Sequence, residues 1–197
     1  MKILALSDVH GDRSFIKKMA QKASEQGVDL VVLAGDIVDA KNNVEGFVGP
    51  FKEKGLEVAV LPGNHEGLAE IGFMVDKYQA INLHGNAIQV GDVGIFGCGY
   101  GDIGLHQFTE EQFYKTIMKA HEKIKDSKKK VLITHVQPSQ TVISFIFPGS
   151  SGVRKAIETL HPNINICGHI HETQGLEDTI GKTRIINVGK SGKIIEI

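Results

Sequence analysis

The chain has 197 residues, 41% of them hydrophobic, and a formal net charge of −1. That length suits one domain spanning residues 1–197 with a substantial core, and the balanced charge argues against a generic basic nucleic-acid binder. Cys98 and Cys167 each lie inside an apolar run, which argues against a disulfide framework, and no run is long enough to cross a bilayer.

The N-terminal apolar stretch KILALS, residues 2–7, is too short for a signal peptide and predicts a first buried strand, so the expected setting is the cytoplasm. From Ser14 to Gln26 the residues Phe15, Ile16, Met19, Ala20 and Ala23 recur at helical spacing, and Gly27 ends the segment. DLVVLAGD, 29–36, is apolar almost throughout, as a strand covered on both faces is. A less regular helical pattern over 44–54 leads to a third such strand in LEVAVLPGNHE, 56–66. A helix is predicted over 68–78, then short strands at 81–83, 87–90 and 93–98, the last two joined by a Gly91–Asp92 turn.

The longest amphipathic segment, 109–125, puts Phe113, Ile117, Ala120 and Ile124 on one face. Thr109 with Gln112 three residues on forms a capping-box pattern. VLITH, 131–135, predicts a strand, 153–160 a short helix, and 165–167, 174–178, 184–188 and 193–197 further strands. Alternating strands and helices with antiparallel strands added late indicate an α/β sandwich, and ligands of open α/β sheets gather beyond the carboxyl ends of the strands.

Five strand ends carry groups that bind metals: Asp8 and His10; Asp36; Asn64 and His65; His135; and His169 with His171. In extended backbone His169 and His171 stand on one side together. Gly11, Gly35, Gly63 and Gly168 adjoin these residues and let backbone approach a crowded centre. A lone Asp or His after a strand is usually a turn residue, but five such coincidences at equivalent places are not explained that way. Nitrogen and oxygen donors without thiolate suit Mn, Fe, Zn, Co or Ni, and one zinc would leave half of these donors unused.

The order D-x-H (Asp8–His10), G-D-x-x-D (Gly35–Asp39), G-N-H-E (Gly63–Glu66), His135 after a strand, and G-H-x-H (Gly168–His171) resembles the calcineurin-like metallophosphoesterases. The resemblance implies a four-layer α/β/β/α sandwich of two mixed sheets flanked by helices, the final strands completing the second sheet. It implies two divalent metal ions, manganese favoured: Asp8, His10 and His171 on one, Asn64, His135 and His169 on the other, Asp36 bridging. His65 would contact a phosphoryl oxygen or protonate the leaving group, and Asp39 would orient it. Two divalent cations outweigh Asp8, Asp36 and one hydroxide, so the centre attracts a phosphate oxygen although the chain is slightly negative. In-line attack of a metal-activated hydroxide on phosphorus is the expected chemistry.

Protein phosphatases of the family have Arg directly after the second Asp, where Ala40 stands here. That departure favours phosphodiesters or small phosphorylated molecules as substrates; phosphomonoesterase and nuclease activity are alternatives on the same site. Some proteins of this fold are scaffolds, but those lose ligands or the catalytic His, and this chain keeps them. The loop 99–108, with Tyr100 and His106, and the apolar loop 136–150 are expected to choose the substrate. The apolar loop could equally form a homodimer contact or pack into the core. GKS at 189–191 lacks the Gly at position 184 that a P-loop needs, although Lys190 stays near the expected site. His84, His106, His121 and His161 have no partner pattern and are expected at the surface.

Overall fold

The computed structural model describes residues 1–38 and 43–197. Its strands are β1 (Lys2–Leu6), β2 (Leu30–Ala34), β3 (Glu57–Leu61), β4 (Ile81–Asn82), β5 (Asn86–Val90) and β6 (Val93–Cys98). β7 (Lys129–Thr134), β8 (Ile164–Cys167), β9 (Glu177–Ile180), β10 (Thr183–Asn187) and β11 (Lys193–Glu196) follow. The helices are α1 (Arg13–Glu25), α2 (Gly49–Lys52), α3 (Leu68–Tyr78), α4 (Glu110–His121) and α5 (Ser151–Leu160). Two sheets form, with strand orders β11-β1-β2-β3-β4 and β5-β6-β7-β8-β10-β9.

The continuous apolar runs reflect burial on both faces. In β1, Ile3 and Ala5 turn into the space between the sheets, while Leu4 and Leu6 turn outward. In β7, Val131 and Ile133 meet them from the second sheet, and Leu132 turns outward. The outer face of the first sheet is covered by Ile16 and Met19 of α1, Phe51 of α2 and Met74 of α3. The second is covered by Phe113 and Ile117 of α4 and by Val153 and Ile157 of α5. Helices, sheet, sheet and helices therefore stack as four layers, the α/β/β/α sandwich the motifs implied. Among the described residues, no helix is long and apolar enough to cross a membrane.

Helix ends follow their capping signals. Thr109 accepts the Gln112 N–H at 3.3 Å and the Gln112 side chain accepts the Thr109 N–H at 2.8 Å, a reciprocal box that starts α4. Asp12 caps α1 by accepting the Phe15 N–H at 2.9 Å.

Several expectations need correction. The final strand does not complete the second sheet: β11 lies antiparallel to β1 at the edge of the first. The helix expected over 44–54 is confined to Gly49–Lys52, because Gly46 takes a φ of +85° and breaks the pattern upstream. The strand expected at 174–178 begins at Glu177, since His171–Thr173 form a 3-10 turn and Gly175 turns the chain with φ +83°. In the loop 136–150, Val136 and Ile143 are buried, whereas Val142, Phe145, Ile146 and Phe147 are exposed. His84 is not a surface residue: its Nδ1 accepts the Gly99 N–H at 3.0 Å, and its ring meets Tyr100 and Phe108. Nor is His121, whose ring lies against Phe96 with both nitrogens buried; His161 is exposed, as expected.

Glu177 joins the two sheets near their edges. It accepts from Arg184 Nε and Nη2 of β10 at 2.7 and 2.9 Å, and from Lys193 of β11. The Arg184 contact, with Lys193 behind it, holds the Glu177 carboxyl at about 2, against an ordinary 4.5. The folded pKa is depressed, so the contribution to stability is complete above 4.5 and is lost as pH falls toward 2. Solvent screening keeps that contribution under about 1 kcal/mol. Glu177→Gln is therefore expected to lower the denaturation midpoint at pH 7, with the gap to the parent closing between pH 4.5 and pH 2 in parallel melts.

Candidate metal centre

β1, β2 and β3 run parallel, as do β7 and β8, so their carboxyl ends share one edge of the sandwich. The strand-end loops keep pairing beyond the sheet: the Asp8 N–H donates to Gly35 C=O at 3.0 Å and the His10 N–H to Asp36 C=O at 2.9 Å. Within the second sheet's edge the Gly168 N–H donates to His135 C=O at 2.9 Å, and across the two sheets the His169 N–H donates to both Asp8 oxygens at 3.0 and 3.2 Å. Asp8, His10, Asp36 and His169 all adopt positive φ, between 46° and 71°. Each such residue costs on the order of 1–3 kcal/mol and persists only where its surroundings over-determine it.

Three groups of donor atoms converge, each within 4.8 Å: Asp8, His10 and His171; His10, Asp36 and His65; and Asp36, His135 and His169. Asp36 lies at the junction. Its Oδ1 accepts the His65 N–H at 3.0 Å, and its Oδ2 faces the Nε2 atoms of His135, His65 and His10 at 3.4, 3.8 and 3.9 Å. Asn64 Oδ1 stands 3.1 Å from His135 Nε2 and adds an oxygen to the third group. All seven residues expected to hold metal are therefore brought to one place. His65, over half exposed at its side chain, stands beside them with its ring 5.1 Å from that of His10. Asp39 lies outside the described residues, as does Ala40.

The chemistry of these donors fits a cation. His135 donates Nδ1–H to Ala34 C=O at 2.9 Å, so in its neutral form Nε2 presents a lone pair to Asp36 and Asn64, which themselves offer lone pairs. His10 Nε2 and His171 Nε2 face each other at 3.1 Å beside Asp8. Gly63 leaves the room: a Cβ there would overlap Asp36 Oδ1.

Burial raises the Asp8 and Asp36 carboxyls, but their imidazole neighbours win and hold both below the usual range. Burial lowers His10, while the Asp8 contact raises His171. His135 is the extreme case. Burial opposes its charge, yet Asp36, Asp8 and the Ala34 carbonyl carry it up to about 10. Glu66, to which the sequence assigned no role, is buried beneath the centre. Its carboxylate accepts from the Ile37 N–H at 3.2 Å and the Gly63 N–H at 3.1 Å, tying the loops after β2 and β3 together. Burial and the charge of Asp36 push its carboxyl to about 7.

Tyr100 and His106 stand outside the three groups. Their rings stack at 5.7 Å and 15°, and His84 and Phe108 meet Tyr100 edge-on at 4.8 Å. Asp102 of the same loop is the residue that reading from the sequence missed: its Oδ1 lies 3.1 Å from His169 Nε2. The available signal was an acid amid glycines, GYGDIG, after a strand end. Lys190 does approach the centre. A cavity of about 340 Å³ is lined by Asp8, Val9, His10, His171, Gln174 and Lys190, and the lysine pairs with Asp12 at 2.8 Å.

The family model of the calcineurin-like phosphoesterases matches residues 1–173. Among solved structures, TT1561 of Thermus thermophilus is similar, with a TM-score of 0.78 and 20% identity over 96% of this chain and 89% of that one. A dimetal phosphatase from Danio rerio superposes with a TM-score of 0.66 at 12% identity, over 95% of this chain and 86% of its own. An archaeal phosphodiesterase does so at 0.59 and 17%, over 96% and 84%. At these identities the likeness is one of fold. No curated protein matches the sequence.

In metal-stripped protein His135 is expected to titrate near 10 rather than 6.5, as read from its imidazole resonances by NMR. Its pKa is raised on folding, so its stabilisation is complete below 6.5 and disappears as pH climbs through about 10. A resonance titrating at 6.5 or below would contradict the charge balance described here.

Proposed function

The chain belongs to the calcineurin-like phosphoesterase family, and from that premise we propose that it is a dinuclear metal-dependent hydrolase of phosphate esters that prefers phosphodiesters. The observation that carries this reading is the convergence of three donor groups on His10 and Asp36. Asp8, His10 and His171 would hold one ion, Asn64, His135 and His169 the other, and Asp36 both. Nitrogen and oxygen donors, with both cysteines buried apart from them, suit Mn, Fe, Zn, Co or Ni, and manganese is the ion we propose to test first. When bound, two divalent ions supply positive charge to phosphoryl oxygens and lower the pKa of water.

The protein's own groups do the rest. Asp36 is held for sharing, because its Oδ1 is fixed by the His65 N–H while its Oδ2 points among the imidazoles. His135 gives up the proton on Nε2 to bind an ion and keeps the one on Nδ1, where Ala34 C=O accepts it; uptake thus expels a proton and tightens as pH rises. The ring of His65 would donate to a phosphoryl oxygen or to the leaving-group oxygen, a role its exposure supports. Asp39 would orient it. The preference for diesters is supported by the cavity beside His10 and His171, which leaves room for a second ester substituent. Lys190 and Gln174 on its wall offer that substituent a cation and an amide. A small phosphorylated molecule fits this opening better than a long nucleic acid does, since the net charge is −1.

Manganese-loaded protein is expected to hydrolyse bis(p-nitrophenyl) phosphate faster than p-nitrophenyl phosphate, and EDTA to abolish both rates. Loaded protein inert toward both esters would point to a non-catalytic module of the same fold. His65→Ala is expected to lower turnover about 10²–10⁴-fold with metal content unchanged by elemental analysis; lost metal or full rate would remove His65 from its role.

A further inference from the structure

The two halves of the centre are supported differently. Asp8 brings a carboxylate directly to the half it shares with His10 and His171, whereas Asn64, His135 and His169 are all uncharged donors when they bind a cation. Apart from the shared Asp36, that half has no negative charge among its ligands. The loop 99–108 supplies one. It runs from the end of β6 to the cap of α4, and Asp102 Oδ1 reaches His169 Nε2 at 3.1 Å.

The same loop presses on Asn64. The His106 N–H donates to Asn64 C=O at 3.3 Å, and a Cβ on Gly101 or Gly104 would come within 2.6 or 2.8 Å of the Asn64 side chain. The loop is held in shape by its own contacts. The Tyr100 N–H donates to Pro62 C=O at 2.8 Å, the Gly101 N–H to His106 C=O at 2.9 Å and the Phe108 N–H to Gly101 C=O at 2.9 Å. Tyr100 takes a φ of +74° and is clamped by the rings of His84, His106 and Phe108. One rigid loop therefore touches two of the three ligands particular to this half.

We propose that Asp102 is the positioning residue for the Asn64–His135–His169 half of the centre. Its carboxylate accepts Nε2–H of His169, which sets the tautomer and leaves the Nδ1 lone pair for the cation; the adjacent negative charge also makes the ring a stronger donor. The neighbouring ring, 4.9 Å away, is set in the opposite sense: His135 gives its Nδ1–H to a carbonyl and presents Nε2. Asp102 itself stands outside the three converging groups, so it acts through His169 and not as a ligand. This assignment rests on the two-ion reading above.

Manganese titration of the chelator-stripped protein, with free ion followed by electron paramagnetic resonance, resolves the two sites. The parent should take up two ions. Asp102→Asn keeps an acceptor and loses the charge, so one of the two ions should bind about 10-fold more weakly; Asp102→Ala loses both, for about 100-fold. In each the other ion should stay within about 2-fold of the parent, and Asp102→Glu should recover most of the loss. The visible spectrum of cobalt-loaded protein should change in the band of one site only. Two ions bound by both variants as tightly as by the parent would overturn the inference. Equal weakening of both sites would also overturn it, by showing a role in the fold instead. A parent that never takes up a second ion refutes the two-ion reading itself, and the assignment falls with it.

Discussion

The molecule is organised around a burial problem: the Asp8 and Asp36 carboxylates are 2% and 3% exposed, side by side beneath a cluster of imidazoles. Removing such charges from water is costly unless something cationic answers them. In the protein alone the answer is a proton on His135, held up to about pH 10. A divalent ion is the stronger answer, and the surrounding structure suits it. Four residues of the cluster accept left-handed backbone, and Gly63 gives up its side chain to leave space for Asp36. These local costs are borne by the sandwich, whose two sheets bury a continuous apolar layer between them.

That layer also explains why the centre lies where it does. Asp8, His10, Asp36, Asn64 and His65 come from the first sheet, and His135, His169 and His171 from the second. Contacts such as His135 Nδ1–H to Ala34 C=O and the His169 N–H to Asp8 cross from one sheet to the other. The donor set exists only while the sheets stay registered at this edge. Side chains such as Ile3, Val32, Val131 and Ile166, far from the chemistry, keep that register.

Much of this was legible in the sequence because strands buried on both faces cannot hide. KILALS, DLVVLAGD and VLITH are apolar runs that stop abruptly at a polar residue, and the stop marks where the strand leaves the core. The candidate metal-binding residues sit at those stops. What failed to show depends on partners instead of local pattern. β11 is as apolar as β10, and nothing in KIIE says that it pairs with β1 and not with the second sheet. Glu66 reads as part of a motif, yet its role is to receive N–H groups from two loops that only the fold brings together. Asp102 is separated from His169 by 67 residues and belongs to no repeat or spacing, so only the folded loop discloses the contact.

Burial decides how a substrate would come to such a centre. Asp36, His135 and His169 are all buried, and the loop 99–108 braces the neighbouring Asn64 and His169. His10, His65 and His171 are exposed, and the cavity with Lys190 and Gln174 opens beside two of them. On the proposed reading, a phosphate ester would approach over the exposed imidazoles, with its second substituent toward Lys190 and the buried half beneath it. The loop 99–108, expected to choose the substrate, instead lies against the candidate ligands. The stacked rings of Tyr100 and His106 stiffen a loop whose contacts reach ligands, while the open side is walled by the turn after β10 and by the residues that follow His171. On the proposed two-ion reading, substitutions in the first loop would act on what holds the ions, and those in the second on what the ions meet.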